Sequence, residues 1–448
     1  MRRNAAIAAS LAALAGGSVA LTACDTSDLV SVETPDIIDP GDVQSAAGAD
    51  AVRLGALARF VQATTGTESL LLLGGMFADE WVNGDTFIAR HELDRREINV
   101  DNTFLLTAAR NLHRARLSAE QAVALLAQWI PNAPGWQVAE MFLIQAYLVN
   151  LAAEHYCDGL VFSTVVDGVE TYGSPITTAA AFELALGHAD AGLARIAGTT
   201  ANDQRVQNAL RVTRGRILMN LNRHADAATA VAAVPTGFMY QTFHSPTSFD
   251  NATWWWNNSE RRYSVSNSEG INGLNFATAE DPRVPVCEAP CPQFGVTLAT
   301  RNDAARPLHV QLLWPTRESP VTLIDGIAAR MIEAEAQLRA GNTTGMVATL
   351  NAARTTVSGL DPLDEPATEA EITDLLFHER AFWHFGRGQR FGDLRRLVRQ
   401  YGRAPNDVFP TGNWHKGGAT YGGDVTIPMP FEELNNPNVS ELCMNRNP

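Results

Sequence analysis

The sequence predicts a mainly α-helical protein, in which a scaffold of helical hairpins is interrupted by one long irregular excursion. Apolar residues recur at helical spacing over most of the chain, and short breaks separate the helical runs. The helical period then disappears between residues 238 and 320, where Pro, Gly, Asn, Ser and aromatic residues dominate. The 448 residues, 46% of them hydrophobic, are enough for a large core. The net charge of −15 argues against binding to a nucleic-acid backbone.

The N-terminus has the pattern of an export signal. A short positive segment, Met1 to Asn4, precedes an apolar run that ends in Leu-Thr-Ala-Cys at Cys24. This run is too short for a typical membrane span, so we predict a signal peptide over residues 1–23. The small residues before Cys24 resemble the bacterial lipobox, which implies lipidation of Cys24. The alternative is a plain signal peptide. Residues 24–50 are acidic, contain Pro and Gly, and are predicted to form a tether.

Helical spacing predicts the bounds of the main helices, at residues 104–129, 141–155, 178–196, 206–221, 225–234, 324–340, 346–357 and 369–399. Two pairs of these runs have the spacing of degenerate tetratricopeptide units, since Gly215 and Ala227, like Ala334 and Met346, are 12 residues apart. Generic packing of helical hairpins is the alternative.

The chain after the tether is predicted to form one domain, residues 51–448. It comprises a scaffold at 51–237 and 321–400, the excursion at 238–320 and a loop-rich C-terminal region at 401–448.

The four cysteines after Cys24 favour disulfides in an exported protein, with three possible connectivities. Cys287 and Cys291 are predicted to form a local pair that braces the excursion, which leaves Cys157 with Cys443. A metal site at the Cys287–Cys291 pair is an alternative, but no histidine has suitable spacing nearby.

The sequence contains no catalytic constellation. His378 and His384 are six residues apart, whereas a zinc-binding helix needs histidines four apart. Neither a nucleophile elbow nor a phosphate-binding loop is present. We therefore predict that the protein is not an enzyme and has no metal or other cofactor.

Four motifs resemble the SusD/RagB family. Residues 379–396 read E-R-A-F-W-H-F-G-R-G-Q-R-F-G-D-L-R-R, which is similar to the family pattern E-R-x-x-E-x-x-x-E-G-x-R-x-x-D-L-R-R. Residues 427–438 are similar to its terminal I-P-I-P and Asn-Pro motif. Asp281-Pro282-Arg283, and Ala334-Glu335-Ala336 with residues 350–354, also fit. With the lipobox, the resemblance covers essentially the whole chain.

This resemblance implies a non-catalytic, lipid-anchored nutrient-binding protein on the cell-surface side of the outer membrane. Such proteins deliver oligosaccharides, or peptides in the RagB branch, to a SusC-like TonB-dependent transporter. The motif at 379–396 is interpreted as stabilising the fold, with Asp393 pairing with nearby arginines. A tetratricopeptide envelope scaffold that binds a protein partner is the other alternative.

The tryptophans are the candidate ligand-binding residues. Sugars stack their C–H faces on aromatic rings and need amide or carboxylate partners for their hydroxyls. The excursion supplies both types in a short stretch, at Trp254, Trp255, Trp256, Asn257 and Tyr263. Trp81 and Trp414 are predicted as two further platforms, the first because this early segment lies near the ligand face in the family. The alternative is that these rings are core beneath loops. A neutral oligosaccharide is the first expectation and a peptide the second.

Overall fold

The structure is a computed structural model that describes residues 43–166 and 169–447. The predicted signal peptide, Cys24 and most of the tether lie outside the described residues. The first helix begins at Ala46, inside the range predicted for the tether, and the Ser45 hydroxyl caps it by accepting a hydrogen bond from the Gly48 N–H at 3.0 Å. Within the described residues, no helix combines the length and the apolar character that crossing a membrane requires.

Helices form most of the regular structure, as predicted. In chain order they are α1 Ala46–Thr65, α2 Leu70–Ala78, α3 Ile88–Asp94, α4 Thr103–Trp129, α5 Gly135–His155, α6 Thr178–Leu193, α7 Ala201–Asn220, α8 His224–Val231, α9 Ala252–Trp254, α10 Gly326–Arg339, α11 Thr343–Arg354, α12 Glu369–Trp383, α13 Arg390–Tyr401 and α14 Pro405–Val408.

The predicted helical hairpins are confirmed, including the close contacts at small residues. A Cβ at Gly215 on α7 would lie 2.6 Å from Cγ1 of Val231 on α8, so only glycine allows this crossing. In the second pair, Ala334 of α10 and Met346 of α11 are both fully buried in one apolar cluster.

The prediction of one helix over residues 369–399 is wrong, because the chain breaks between α12 and α13. Gly386 and Gly388 both have φ of 68°, a left-handed conformation that favours glycine. A Cβ at Gly388 would also lie 2.5 Å from Cγ of Leu71. The break places the Gly386 N–H against the buried Glu80 carboxylate at 2.9 Å, and burial raises the pKa of Glu80 to about 8.

Within the described residues, eight short strands form four antiparallel pairs, and two of these pairs tie the excursion to its surroundings. They are β1 Trp81–Asn83, β2 Thr164–Val166, β3 Val169–Thr171, β4 Met239–Thr242, β5 Tyr263–Val265, β6 Val286–Glu288, β7 His309–Gln311 and β8 Val321–Asp325. The pairs are β1–β5, β2–β3, β4–β8 and β6–β7, of which β1–β5 and β4–β8 tie the excursion to its surroundings. The first joins the early segment to the excursion, with Trp81 opposite Val265 and Asn83 opposite Tyr263. The excursion is therefore irregular but anchored.

Both predicted disulfides are present. Cys287–Cys291 closes a small loop within the excursion. Cys157–Cys443 joins the residues just after α5 to the C-terminal region, across a sequence separation of 286. The second bond thus holds the loop-rich C-terminal region against the scaffold.

Buried ion pairs connect three of the sequence motifs at Glu379 on α12. Its Oε2 accepts a hydrogen bond from Nη1 of Arg283, in the excursion, at 2.7 Å, and its Oε1 accepts one from Nη1 of Arg354, on α11, at 2.6 Å. Asp393, in the first turn of α13, accepts two hydrogen bonds from the Arg380 guanidinium group, at 2.8 and 2.9 Å, as predicted. The motif at 379–396 therefore stabilises the fold, because carboxylates and guanidinium groups that are both buried require each other.

Candidate functional site

The three consecutive tryptophans lie on one turn of the excursion. Asn251 caps α9 by accepting a hydrogen bond from the Trp254 N–H at 3.1 Å, and its own amide donates to the Ser319 carbonyl at 2.9 Å. A π-helical turn follows at Trp255–Ser259. All three indoles are half-buried at the surface.

Trp256 is the anchor of the three. Its Nε1 donates a hydrogen bond to the Thr67 carbonyl at 2.7 Å, and its ring stacks with Tyr263 at a centroid distance of 6.0 Å. The guanidinium carbon of Arg90 lies 4.3 Å from the ring centroid. Trp256 thus packs against the main core and has fewer free surfaces than its neighbours.

Trp254 and Trp255 are the better platforms. Their ring centroids are 6.4 Å apart, with an angle of 52° between the planes. Neither ring belongs to a hydrophobic core cluster of the described residues or packs against one. They form a bent aromatic surface. In the segment just before them, Asp250 accepts two hydrogen bonds from Arg317, at 2.8 and 2.9 Å.

Asn257 and Tyr263 position the turn and do not face a ligand. The Asn257 amide donates to the carbonyls of Tyr263 and His309 at 2.9 and 3.0 Å, and its Oδ1 accepts from the Gln311 N–H at 2.9 Å. Tyr263 is only 1% exposed, and burial raises the pKa of its hydroxyl. The structure therefore corrects the prediction that these two side chains contact a ligand.

Trp81 is also a core residue, which corrects its prediction as a platform. It is 1% exposed, and its ring lies 4.8 Å from that of Phe385, between α12 and α13. Its ring therefore offers no face to solvent.

Trp414 lies apart from the three tryptophans and is only 7% exposed. Its Nε1 donates to Oδ2 of Asp94 at 3.0 Å, and Nε2 of His415 lies 2.6 Å from the same oxygen. The structure therefore corrects this platform too, since hydrogen bonding and burial fix the indole in place.

Phe87 is an aromatic residue of this surface that the sequence analysis missed. It is 50% exposed, and the guanidinium carbon of Arg262 lies 5.1 Å from its ring centroid and 5.7 Å from that of Trp256. Arg262 therefore bridges the early segment and the excursion. Its signal in the sequence is its position six residues after Trp81, in the early segment that the family resemblance places near the ligand face.

Acidic residues balance the arginines beneath this surface. Arg90 contacts Asp85 at 2.5 Å and Glu68 at 2.9 Å, while Arg262 contacts Glu260 at 3.4 Å. Burial raises the pKa of Glu68 to about 7, although Arg90 opposes that shift. The result is a surface of aromatic faces and paired polar groups, a combination suited to uncharged polyhydroxylated ligands. Within the described residues, no three or more His, Cys, Asp or Glu side chains are grouped to hold a metal ion.

Solved structures of SusD-like proteins share this architecture. A SusD-like carbohydrate-binding protein from Bacteroides fragilis matches with a TM-score of 0.65 and 13% identity, over 88% of this chain and 99% of that one. A SusD superfamily protein from Parabacteroides distasonis matches with a TM-score of 0.64 and 11% identity, over 88% and 98%. One from Bacteroides vulgatus matches with a TM-score of 0.62 and 15% identity, over 88% and 97%.

No protein-family model matches the sequence, and no curated protein does. The likeness therefore shows the fold: the chain has the SusD-like helical fold over nearly all of the described residues. At these identities the ligand does not follow from the fold, because sites diverge on a common scaffold.

Proposed function

We propose that this protein is a non-catalytic, lipid-anchored nutrient-binding protein of the outer membrane that captures oligosaccharide for a SusC-like TonB-dependent transporter. The observation that carries the proposal is the pair of half-exposed rings, Trp254 and Trp255, on a SusD-like fold. The fold supports the class of protein, and the rings supply a surface for a sugar.

The ligand is proposed to be a neutral oligosaccharide. Trp254 and Trp255 provide apolar faces for the C–H surfaces of pyranose rings, and Phe87 adds a third face beside Arg262. Arg317 and Asp250 hold each other in fixed geometry and can still hydrogen-bond to hydroxyls. Because acids accompany the arginines, a polyanionic ligand would meet as much repulsion as attraction.

The binding test compares tryptophan variants in one titration series. The purified protein without its lipid is titrated calorimetrically with maltoheptaose, cellohexaose, xylohexaose and a tetrapeptide. We expect one of the sugars to bind, and Trp254→Ala with Trp255→Ala to weaken that binding by about tenfold or more, since each lost stacking contact contributes roughly 1 kcal/mol. Trp129→Ala is the matched control, because Trp129 is also at the surface, 36% exposed, at the end of α4.

Two results would contradict this assignment. Equal weakening by Trp129→Ala would mean that the aromatic surface is not the site. If the tetrapeptide binds and none of the sugars does, the ligand is a peptide, as in the RagB-like alternative.

The transporter test uses the lipidated protein in native outer membranes. We expect a large TonB-dependent barrel to co-purify with it in mild detergent, and Cys24→Ala to abolish both membrane attachment and co-purification. Recovery of the protein alone from the inner-membrane fraction would contradict the proposed location. It would favour the envelope-scaffold alternative, in which the helical hairpins bind another protein.

A further inference from the structure

A pocket lies on the scaffold, apart from the tryptophan surface. It has a volume of about 670 Å³ and lies between α12, α13, the excursion residues near Leu274 and the residues around α14. It shares no lining residue with the surface formed by Phe87, Trp254 and Trp255. Its volume is in the range that holds a drug-sized molecule or a few amino-acid residues.

The floor of this pocket is apolar. Phe377 of α12 and Leu394 and Leu397 of α13 form it, and all three belong to the main core. Leu274 and Leu375 are half-buried at its sides, so each exposes part of its apolar side chain toward the pocket. An apolar side chain of a ligand would remove this surface from water.

The rim of the pocket is acidic. Glu371, Asp374 and Asp407 line it and are exposed, whereas Arg403 is the one half-buried cation among the lining residues, 2.9 Å from Asp374. Arg390 also lines the pocket, but its guanidinium group donates two hydrogen bonds to the Asp79 carboxylate, at 2.7 and 2.9 Å. The carboxylates of the rim therefore outnumber the cation available to neutralise them.

Helix α12 holds the acidic and apolar groups in a fixed pattern. Glu371, Asp374, Leu375 and His378 follow the i, i+3, i+4, i+7 spacing that places side chains on one helix face. The capping box of Thr368 and Glu371 fixes the first turn of this face, with the Thr368 hydroxyl 2.8 Å from Oε2 of Glu371. The pocket is thus an apolar cleft with carboxylates on its rim, of which Glu371 is held by Thr368 and Asp374 by Arg403.

We propose that this pocket binds a segment of a partner polypeptide in which an apolar side chain is flanked by lysine or arginine. The apolar side chain lies against the half-buried Leu274 and Leu375, above the floor of the pocket. Its basic neighbours pair with Asp407 and, beside Arg403, with Asp374. Charge complementarity selects this occupant over an acidic or neutral segment, because the rim repels the first and leaves the second without ion pairs.

Fluorescence polarisation with two defined probes tests this proposal. The first probe is a labelled Lys-Leu-Phe-Lys peptide, and the second is the charge-reversed Glu-Leu-Phe-Glu peptide. We expect the full-length protein to bind only the basic probe. Asp374→Asn with Asp407→Asn should weaken this binding about threefold to tenfold, the range for two partly exposed ion pairs. Raising NaCl from about 0.05 M to about 0.5 M should weaken it as well.

The matched control removes two carboxylates elsewhere. Glu183→Gln with Asp226→Asn makes the same change of charge on α6 and α8, at exposed positions outside the pocket. We expect it to leave binding of the basic probe unchanged, as should Trp254→Ala with Trp255→Ala. Equal binding of the two probes, or equal weakening by the control, would overturn the proposal. Because the probes contain no sugar, either result would leave the oligosaccharide proposal unaffected.

Discussion

The helical scaffold and the excursion are both rich in aromatic residues and arginines, but several of these side chains are buried in the scaffold and several are partly exposed in the excursion. In the scaffold, Arg380 and Arg396 are buried and donate hydrogen bonds to the carboxylates of Asp393 and Glu335. In the excursion, Arg262 and Arg317 remain partly exposed, and the guanidinium carbon of Arg262 lies 5.7 Å from the ring centroid of the half-buried Trp256. The first region uses charge to lock helices together, and the second leaves polar and aromatic groups accessible.

Residues that join the two regions explain how the excursion can be irregular and still hold its shape. Arg283 reaches from the excursion to Glu379 at 2.7 Å, and the Leu274 N–H donates to Asp79 at 3.0 Å. The same Asp79 pairs with Arg390 of α13. The excursion has a small apolar cluster of its own around Cys291 and Val310, and buried groups of the scaffold fix the rest of its conformation.

The two disulfides give the largest expected contrast between regions. Replacing Cys157 and Cys443 by alanine should lower the free energy of unfolding by roughly 5 kcal/mol, whereas replacing Cys287 and Cys291 should lower it by about 2 kcal/mol. The reason is loop length, since the sequence separations are 286 and 4. Urea denaturation of both double variants, without reductant, measures the difference. Equal losses would show that the constraint on the unfolded chain does not control either effect.

The junction at Glu379 should be the next most sensitive position. Glu379→Ala leaves the Arg283 and Arg354 guanidinium groups without this partner, and we expect a loss of about 3–5 kcal/mol in the free energy of unfolding. Chemical denaturation followed by circular dichroism measures it. Asp226→Asn is the control, because its pair with Arg223 is exposed on both sides and should change stability by about 0.5 kcal/mol or less. A similar change in the two variants would contradict the role of this junction.

Two tryptophan substitutions sharpen the comparison further. Trp81→Phe removes buried ring atoms from the core and should cost about 2 kcal/mol, whereas Trp255→Phe at the surface should cost about 0.5 kcal/mol or less. Thermal unfolding of both variants measures these losses. If Trp255→Phe is the more destabilising, Trp255 is a structural residue, and its assignment to the ligand surface is wrong.

The local pattern of the sequence located the helical hairpins of the scaffold, but it did not predict α1, α2 or α3. Apolar periodicity located the hairpins, and the 12-residue offset located the close contact at Gly215. Both depend on residues within two neighbouring helices. The break after α12 could not be predicted in this way, because Phe382 and Phe385 continue the apolar pattern while the conformation of Gly386 depends on packing against Trp81 and Trp314.

The candidate site was predicted only in part, since a tryptophan has the same sequence signal whether it is buried or exposed. Trp81 is buried because Phe385, some three hundred residues later, packs against it. Trp254 and Trp255 remain accessible because only Trp256 reaches the core. Phe87 was missed because Arg262 lies beside its ring only after β1 and β5 pair.

The smallest expected effect is the pH dependence that Asp393 contributes to the scaffold. Arg380 and Arg396 hold the pKa of Asp393 well below its ordinary value, against the opposing effect of burial. A group with a lowered folded-state pKa stabilises the protein fully above its unfolded pKa, about 3.9, and loses this contribution as the pH falls toward its folded-state pKa. The difference in unfolding free energy between the wild type and Asp393→Asn should therefore stay constant from about pH 8 to pH 5 and narrow below about pH 4. Urea titrations at each pH measure it, with Asp226→Asn as the exposed control. If this difference in unfolding free energy grows on acidification, Arg380 and Arg396 do not hold Asp393 ionised. Buried ion pairs would then not distinguish the scaffold from the excursion at Asp393.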